Sequence, residues 1–238
     1  MDGTRTFLIG GEQVAVIDPG PDEEDHIRAL SHALEPAREI RILLTHRHTD
    51  HAGGAVSLAR ATGALLFGPV SCRPPGDSGV PFQVLVEGDE IPTDEGVVTA
   101  LEIPGHAKDH LAFFWEPAGA LFVGDLMLGK GDTTWVGEYL GCVGDYLDSL
   151  DKVESFGAKV LYPGHGPPSV EPASRVALFR RHRLRRVEQV RSARLENPGA
   201  GAGELAALIY GGEIPDKLVR AAVASVEATL FHLDSQRD

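Results

Sequence analysis

"LLTHRHTDHAGG", residues 43–54, decides how the chain is read. Three histidines and an aspartate, His46, His48, His51 and Asp50, fall within six positions directly after an apolar run. In an extended loop, residues two apart face the same side. His46 and His48 can therefore converge on one cation while Asp50 and His51 turn toward another. An exposed polar turn could carry the same letters, so the decision rests on the rest of the chain. The same kind of junction recurs three times: "IPGH" ends on His106, "FVGD" ends on Asp125, and "YPGHG" contains His165. Each of these residues follows a strand-like run and a glycine, which would place all seven along one rim of a sheet. A lone histidine is more often a satisfied surface or core residue. Five histidines and two aspartates at repeated junctions point instead to a metal centre.

Around these junctions the pattern alternates between short β-branched runs and helical spacing. "QVAVIDPG" (13–20) reads as a strand ending in a Pro-Gly turn, and "PDEEDHIRALSHAL" (21–34) as a helix with acids in its first turn. "REIRILLTH" (38–46) reads as a buried strand and "GGAVSLARATG" (53–63) as a helix. From Leu65 to Gly124 come the strands "ALLFG", "FQVLV", "GVVTALEIPG", "HLAFFW" and "ALFVGD", divided by Gly, Pro and acidic turns as in antiparallel pairing. Phe114 and Trp115 are expected in the core. A helix over 143–157 and a strand within 158–166 follow, and residues 173–238 read as helices, the first over about 173–195. The result is an α/β layered architecture, sheets inside and helices outside, with a helical appendage.

The composition is that of an ordinary globular chain: 238 residues, 42% hydrophobic and 24% charged. No apolar run approaches the roughly 20 residues that span a bilayer, and the first residues lack the features of a signal peptide. Only Cys72 and Cys142 are present, so no disulfide framework is implied and a cytoplasmic location is expected. The net charge of −13 argues against non-specific coating of nucleic acid. It is unevenly placed. "RVALFRRHRLRRVEQVRSAR" (175–194) carries eight arginines against the single acid Glu188, leaving near −20 on the remainder. A solvated helix face is the ordinary meaning of such a run.

The order His46-x-His48-x-Asp50-His51, then His106, Asp125 and His165, resembles the metallo-β-lactamase superfamily in its binuclear hydrolase form, over the chain to about residue 170. The resemblance implies an αββα sandwich with the metal site at one edge of two sheets. It implies that His46, His48 and His106 hold one metal, that Asp50, His51 and His165 hold a second, and that Asp125 bridges them. A donor set of imidazole and carboxylate without thiolate suits zinc and tolerates iron or manganese. Two divalent ions would lower the pKa of water toward about 7 and polarise a carbonyl or phosphoryl oxygen. The expected catalytic groups are thus Asp50 and Asp125 with a metal-bound hydroxide, and no GxSxG elbow is present. Cys142 matches no ligand motif, so β-lactam hydrolysis is disfavoured.

"PGHAKDHLAFF", "GDLMLGKGDTT", "YPGHGP", "RRHRLRRVEQV" and the tail "ELAALIYGGEIPDKLVRAAVASVEATLFHLDSQ" resemble the lactamase-beta-2-like group. This implies a hydrolase domain over 1–170 and a small helical, winged-helix-like domain over 171–238. There are departures: the opening strand is expected to be short or absent, the wing is expected to be missing after "LDSQRD", and Arg47 stands between two ligand histidines. His110 recurs in the pattern "PGHxxxH" and is expected to orient a ligand or loop rather than to bind metal. Gly53 and Gly54 let the backbone approach the metals or simply open a helix. Lys130, Thr133, Thr134, His182, Arg183 and Arg186 are the expected substrate contacts, since a guanidinium fork matches phosphate and carboxylate. The expected partner is a small anionic substrate or single-stranded RNA, with phosphodiester cleavage ahead of thioester or lactone hydrolysis of the glyoxalase II type. A non-catalytic nucleic-acid or partner-binding protein is the alternative of a different class. No membrane partner is expected, and a homo-oligomer is compatible with the sequence.

Overall fold

In the computed structural model, residues 3–76, 78–211 and 215–236 are described. Within the tail stretches read above, residues 212–214 and 237–238 lie outside them, and so does Asp2 at the head of the opening segment. Two five-stranded sheets face each other. The first has the order β1-β2-β3-β4-β5, from β1 (Phe7–Ile9), β2 (Gln13–Ile17), β3 (Glu39–Leu43), β4 (Leu65–Gly68) and β5 (Phe82–Val84). The second has the order β10-β9-β8-β7-β6, from β6 (Glu90–Thr93), β7 (Gly96–Glu102), β8 (Leu111–Trp115), β9 (Ala120–Gly124) and β10 (Val160–Pro163).

Side chains alternate between the two faces of a strand, and the sequence uses both. In β2, Val14 and Val16 meet Ile27 and Leu30 of α1 (Glu24–Ala33) and Leu58 of α3 (Ala55–Thr62). Ala15 and Ile17 face the other way, into the space between the sheets, with Leu43, Phe113 and Phe122. In β9 the same alternation sends Phe122 between the sheets. It sends Leu121 and Val123 outward onto Tyr146 and Leu150 of α4 (Cys142–Phe156). The outer cluster continues without a break into α5 (Pro172–Glu196), α6 (Ala202–Tyr210) and α7 (Asp216–Ser235), through Phe179, Val187, Leu205 and Val226. The layers are therefore helix, sheet, sheet, helix, and the C-terminal helices share the core of the second outer layer.

The opening strand, expected to be short or absent, is present and short: three residues, antiparallel to β2. Other expectations are corrected. β4 and β5 pair in parallel, not antiparallel, fashion. Gly and Pro mark a break without fixing the direction of return, and the stretch between 68 and 82 is long enough for a crossover. β6 was not read from sequence; its Pro92 and flanking acids are tolerated because it lies at the edge of its sheet. Residues 46–51 are not extended throughout, since Thr49–Ala52 form a single helical turn, α2, with His48 at its N-terminus. Phe114 and Trp115 are only half-buried, Phe114 edge-on to Phe156 and the Trp115 indole N–H bonded to the Glu95 carbonyl.

The strand directions place the histidine junctions together. β2 and β3 run parallel, as do β9 and β10, and β7 points the same way as β9 because β8 lies antiparallel between them. The C-terminal ends of β2, β3, β7, β9 and β10 thus share one rim with the start of β8. There the Leu111 N–H donates to the Thr45 carbonyl across the two sheets, at 2.8 Å. Phe113, fully buried between the sheets, reports on this packing. Phe113→Ala is expected to cost about 3–5 kcal/mol in chemical denaturation. A loss under about 1 kcal/mol would mean that the inter-sheet layer is not the close-packed core described.

Candidate metal centre

At that rim the structure gathers His46, His48, Asp50, His51, His106, Asp125 and His165. Their nitrogens and carboxylate oxygens form three overlapping groups: His46, His48 and His106; His46, His51 and Asp125; and Asp50, His51 and His165. Within each, the atoms lie within 4.8 Å of one another. The Nδ1 of His48 is 3.0 Å from the Nε2 atoms of both His46 and His106. On the other side, the Nε2 of His165 is 3.1 Å from Asp50 Oδ2. Asp125 stands between the two sets: one oxygen is 3.4 Å from His51 Nε2, the other 3.8 Å from His106 Nε2 and 3.6 Å from His165 Nε2.

The backbone and neighbouring side chains decide which nitrogen each ring presents. Thr45 Oγ1 donates to Asp18 Oδ2 at 2.7 Å and so accepts from His46 Nδ1 at 2.9 Å. His51 Nδ1 donates to the same Asp18 oxygen at 2.8 Å, and His106 Nδ1 donates to the Trp135 carbonyl at 2.9 Å. In all three rings a proton is held on Nδ1, so Nε2 is the atom that faces the cluster. His48 is turned around: its Nδ1 faces inward and its Nε2 lies 3.6 Å from Glu138. Glu138 also binds the Arg47 guanidinium and the Lys108 N–H, tying three loops together.

Asp18 and Glu138 escaped sequence reading. For Asp18 a signal existed: an acid directly after the apolar strand of "QVAVIDPG". Glu138 sits in an irregular stretch with no periodicity to mark it. Gly53 and Gly54 serve helix entry rather than the cluster. A Cβ on either would collide with the Thr49 carbonyl or with Ile27 and Pro21. The glycine that does allow close approach is Gly164, where a Cβ would lie 2.5 Å from the His51 ring and 2.9 Å from Asp125. His110 is fully buried, stacked on His46 at 4.7 Å, and accepts the Asp125 N–H at 3.2 Å.

The charges of this cluster are strongly coupled. Burial and the surrounding imidazoles push His46 well below the usual histidine range, and burial does the same to His110. His51 goes the other way: burial opposes its charge, but Asp18 and Asp125 outweigh burial and raise it to about 10. Asp50 is held below the carboxylate range by His165. Two buried atoms at the centre, His51 Nε2 and Asp125 Oδ1, have no hydrogen-bond partner. Buried polar atoms are rarely left so, and a cation between them would satisfy both. The residues present therefore fit divalent metal ions.

Beside the cluster lies a cavity of about 580 Å³ that has His106 and Asp125 in its wall. Thr133, Thr134, His182, Arg183 and Arg186 line it, whereas Lys130 is exposed and outside the lining. The remaining wall is largely apolar, including Leu128, Trp135, Val136, Tyr210 and Leu218.

This centre and fold agree with the comparison against known families, in which residues 2–165 match the model of the metallo-beta-lactamase superfamily. The chain belongs to the metallo-beta-lactamase superfamily. It is an enzyme of that superfamily's metal-dependent hydrolase type. Among curated relatives, it is 30% identical to the lactamase-like protein aptB of Emericella nidulans, over 100% of this chain and 77% of the relative. It is 32% identical to an atrochrysone carboxyl ACP thioesterase of Aspergillus chevalieri, over 94% of this chain and 72% of the relative. A metallo-beta-lactamase family protein from Thermus thermophilus shares the fold, with a TM-score of 0.78 at 24% identity over 98% of this chain and 89% of that one. Among the described residues no helix is long and apolar enough to cross a membrane.

Two outcomes follow for this superfamily member. Because Asp18 and Asp125 favour the charged form of His51 against the effect of burial, metal loading is expected to displace a proton from it. Calorimetric metal titration at pH 7 is expected to show an enthalpy that varies with the ionisation heat of the buffer; an invariant enthalpy would contradict the buried imidazolium. Asp18→Asn, which removes charge from the group that orients His51 and Thr45, is expected to weaken metal binding by about 10–100-fold. A chelator competition series measures this.

Proposed function

We propose that the chain is a thioester hydrolase acting on small, largely apolar acyl groups, with two divalent metal ions, zinc as the first candidate. His46, His48 and His106 would hold one ion, Asp50, His51 and His165 the other, with Asp125 between them. Bound there, such ions acidify water and polarise a carbonyl oxygen. The chain's own contribution is position: Asp18, through Thr45 and His51, holds the imidazoles in one orientation, and Glu138 holds the loop of His48.

The observation that carries this reading is the apolar cavity that has His106 and Asp125 in its wall. A space of about 580 Å³ is of the size that encloses a small molecule. Apolar walls favour an acyl chain or ring over the stacked bases and phosphates of a polynucleotide. Similarity to a protein named as a carboxyl ACP thioesterase supports the same substrate class.

Single-stranded RNA, expected from the basic helix together with the tail resemblance, finds no support in how those arginines are used. Arg180 pairs with Asp151 and Glu154, Arg185 with Asp132, Arg191 with Glu188 and Arg194 with Asp234. Arg175 lies over Phe179 and donates to the Leu128 carbonyl. Guanidiniums engaged in this way form no open basic track with interleaved aromatics.

The test is hydrolysis by one metal-loaded preparation of four substrates: an aromatic acyl N-acetylcysteamine thioester, S-lactoylglutathione, single-stranded RNA and bis-p-nitrophenyl phosphate. The aromatic thioester is expected to be cleaved with the highest kcat/KM, and His106→Ala and Asp125→Asn are expected to abolish it. Cleavage of RNA in preference to either thioester would overturn the proposal.

A further inference from the structure

Arg183 is only 4% exposed, yet among the described residues it has no carboxylate partner. Its polar contact is one long hydrogen bond to the Thr134 carbonyl, at 3.4 Å, and its Nε is buried with no partner at all. The guanidinium lies over the Tyr146 ring, 5.5 Å from the centroid. One turn further along α5, Arg186 lies over Tyr210 at 4.6 Å and, among the described residues, hydrogen-bonds Gln189 and no carboxylate. Both line the cavity beside the metal cluster. Thr134 joins the two regions: its carbonyl accepts from Arg183, and its hydroxyl lies 3.4 Å from His106 Nδ1.

A buried charge is costly unless it is paired. The other arginines of α5 show what this helix does when pairing is structural, since four of them hold acids, three on neighbouring segments and one, Glu188, on the helix itself. Arg183 holds none, in a wall otherwise suited to an apolar group. Resting on the thioesterase reading above, we infer that Arg183, supported by Arg186, is an anion subsite. It receives a second acidic group, a carboxylate, carried by the acyl part of the substrate, while the thioester carbonyl sits at the metal cluster. The oxyanion could in principle come from the acyl group or from the phosphate of a pantetheine-type carrier arm. Burial decides for the acyl group: a carrier cannot enter a cavity of about 580 Å³, whereas a compact acyl acid can.

The test uses the metal-loaded full chain and two probes that each keep one carboxylate for the metals, naphthalene-2,6-dicarboxylate and 6-carbamoyl-2-naphthoate. By calorimetry the wild-type protein is expected to bind the dicarboxylate about 10–100-fold more tightly, the range of a hydrogen bond between charged groups. Arg183→Gln is expected to erase the preference and Arg183→Lys to keep part of it, because a lysine retains charge without the planar fork. No preference in the wild type, or an undiminished one in Arg183→Gln, overturns the inference. A preference for 4′-phosphopantetheine over pantetheine that Arg183→Gln removes would move the subsite to the carrier and overturn it equally.

The N-acetylcysteamine thioesters of the same two acids separate this inference from the function it rests on. Discrimination in binding with no thioester cleavage would sink the function and leave the subsite. Cleavage of both at equal kcat/KM, with no discrimination in binding, would do the reverse. Arg183→Met guards against a merely structural role: an unpaired charge should be dispensable, so its Tm is expected to equal or exceed the wild type. A marked fall in Tm would assign the guanidinium to the fold and overturn the inference.

Discussion

The hydrogen bonds of one buried carboxylate organise the site. Asp18 directly follows β2 in a left-handed backbone conformation, at φ 49°, that non-glycine residues rarely adopt. From there it accepts the Thr45 N–H at 2.8 Å, the Thr45 hydroxyl and His51 Nδ1. Its own N–H donates to the Leu43 carbonyl. Two adjacent strand ends are thereby tied together, and two imidazoles are fixed with Nε2 turned to the cluster. Removing Asp18 would leave several donors unsatisfied in a region closed to water. With the Thr6 hydroxyl bonded to its carbonyl as well, the backbone strain at this residue is borne by five hydrogen bonds, not by one.

The second outer layer has a different task. Tyr146, Phe179, Val187 and Val226 form one hydrophobic cluster from α4 to α7, which fixes these helices to the outer face of the second sheet. Because that layer is anchored by apolar packing, its inner edge can carry groups that contribute little to stability. The cavity wall is such an edge: Trp135 reaches α7 through the Ala221 carbonyl, and Arg183 and Arg186 rest on tyrosine rings. The histidine and aspartate cluster sits at the sheet rim, whereas the shape of the cavity beside it is set largely by the helices.

Much of this was legible in the sequence because periodicity and junction chemistry are local. Val14, Val16, Ile40 and Ile42 alternate as a two-faced buried strand must, and each histidine junction follows a run that could only be a strand. What the sequence withheld was non-local. Nothing in "ALLFG" or "FQVLV" states the direction of pairing, and Pro92 conceals an edge strand that costs little to tolerate. The arginine run was visible, but its use was not. Charge counting treats Arg180 and Arg183 alike, although one pairs with acids at the surface and the other is buried without one. Asp18 was visible only as one more acid before a Pro-Gly turn, since its partners lie 27 and 33 residues away.

The uneven charge then acquires a physical meaning. A chain of net charge −13 repels anions at long range, and salt screens that repulsion beyond about 10 Å. Inside the cavity the balance is reversed. Arg183 and Arg186 lack carboxylate partners among the described residues, and the surrounding wall is apolar, so their field is weakly screened and focused into the space beside the cluster. Metal ions would add to the same sign, with the carboxylates of Asp50 and Asp125 offsetting only part of it. On the proposed reading, an acidic acyl group would meet net repulsion from the chain as a whole and attraction at this one place. A neutral acyl group of the same shape gains the apolar contacts but not this field. Selectivity of that kind would depend less on the number of arginines in α5 than on Arg183 and Arg186, the two that line the cavity with no carboxylate partner among the described residues.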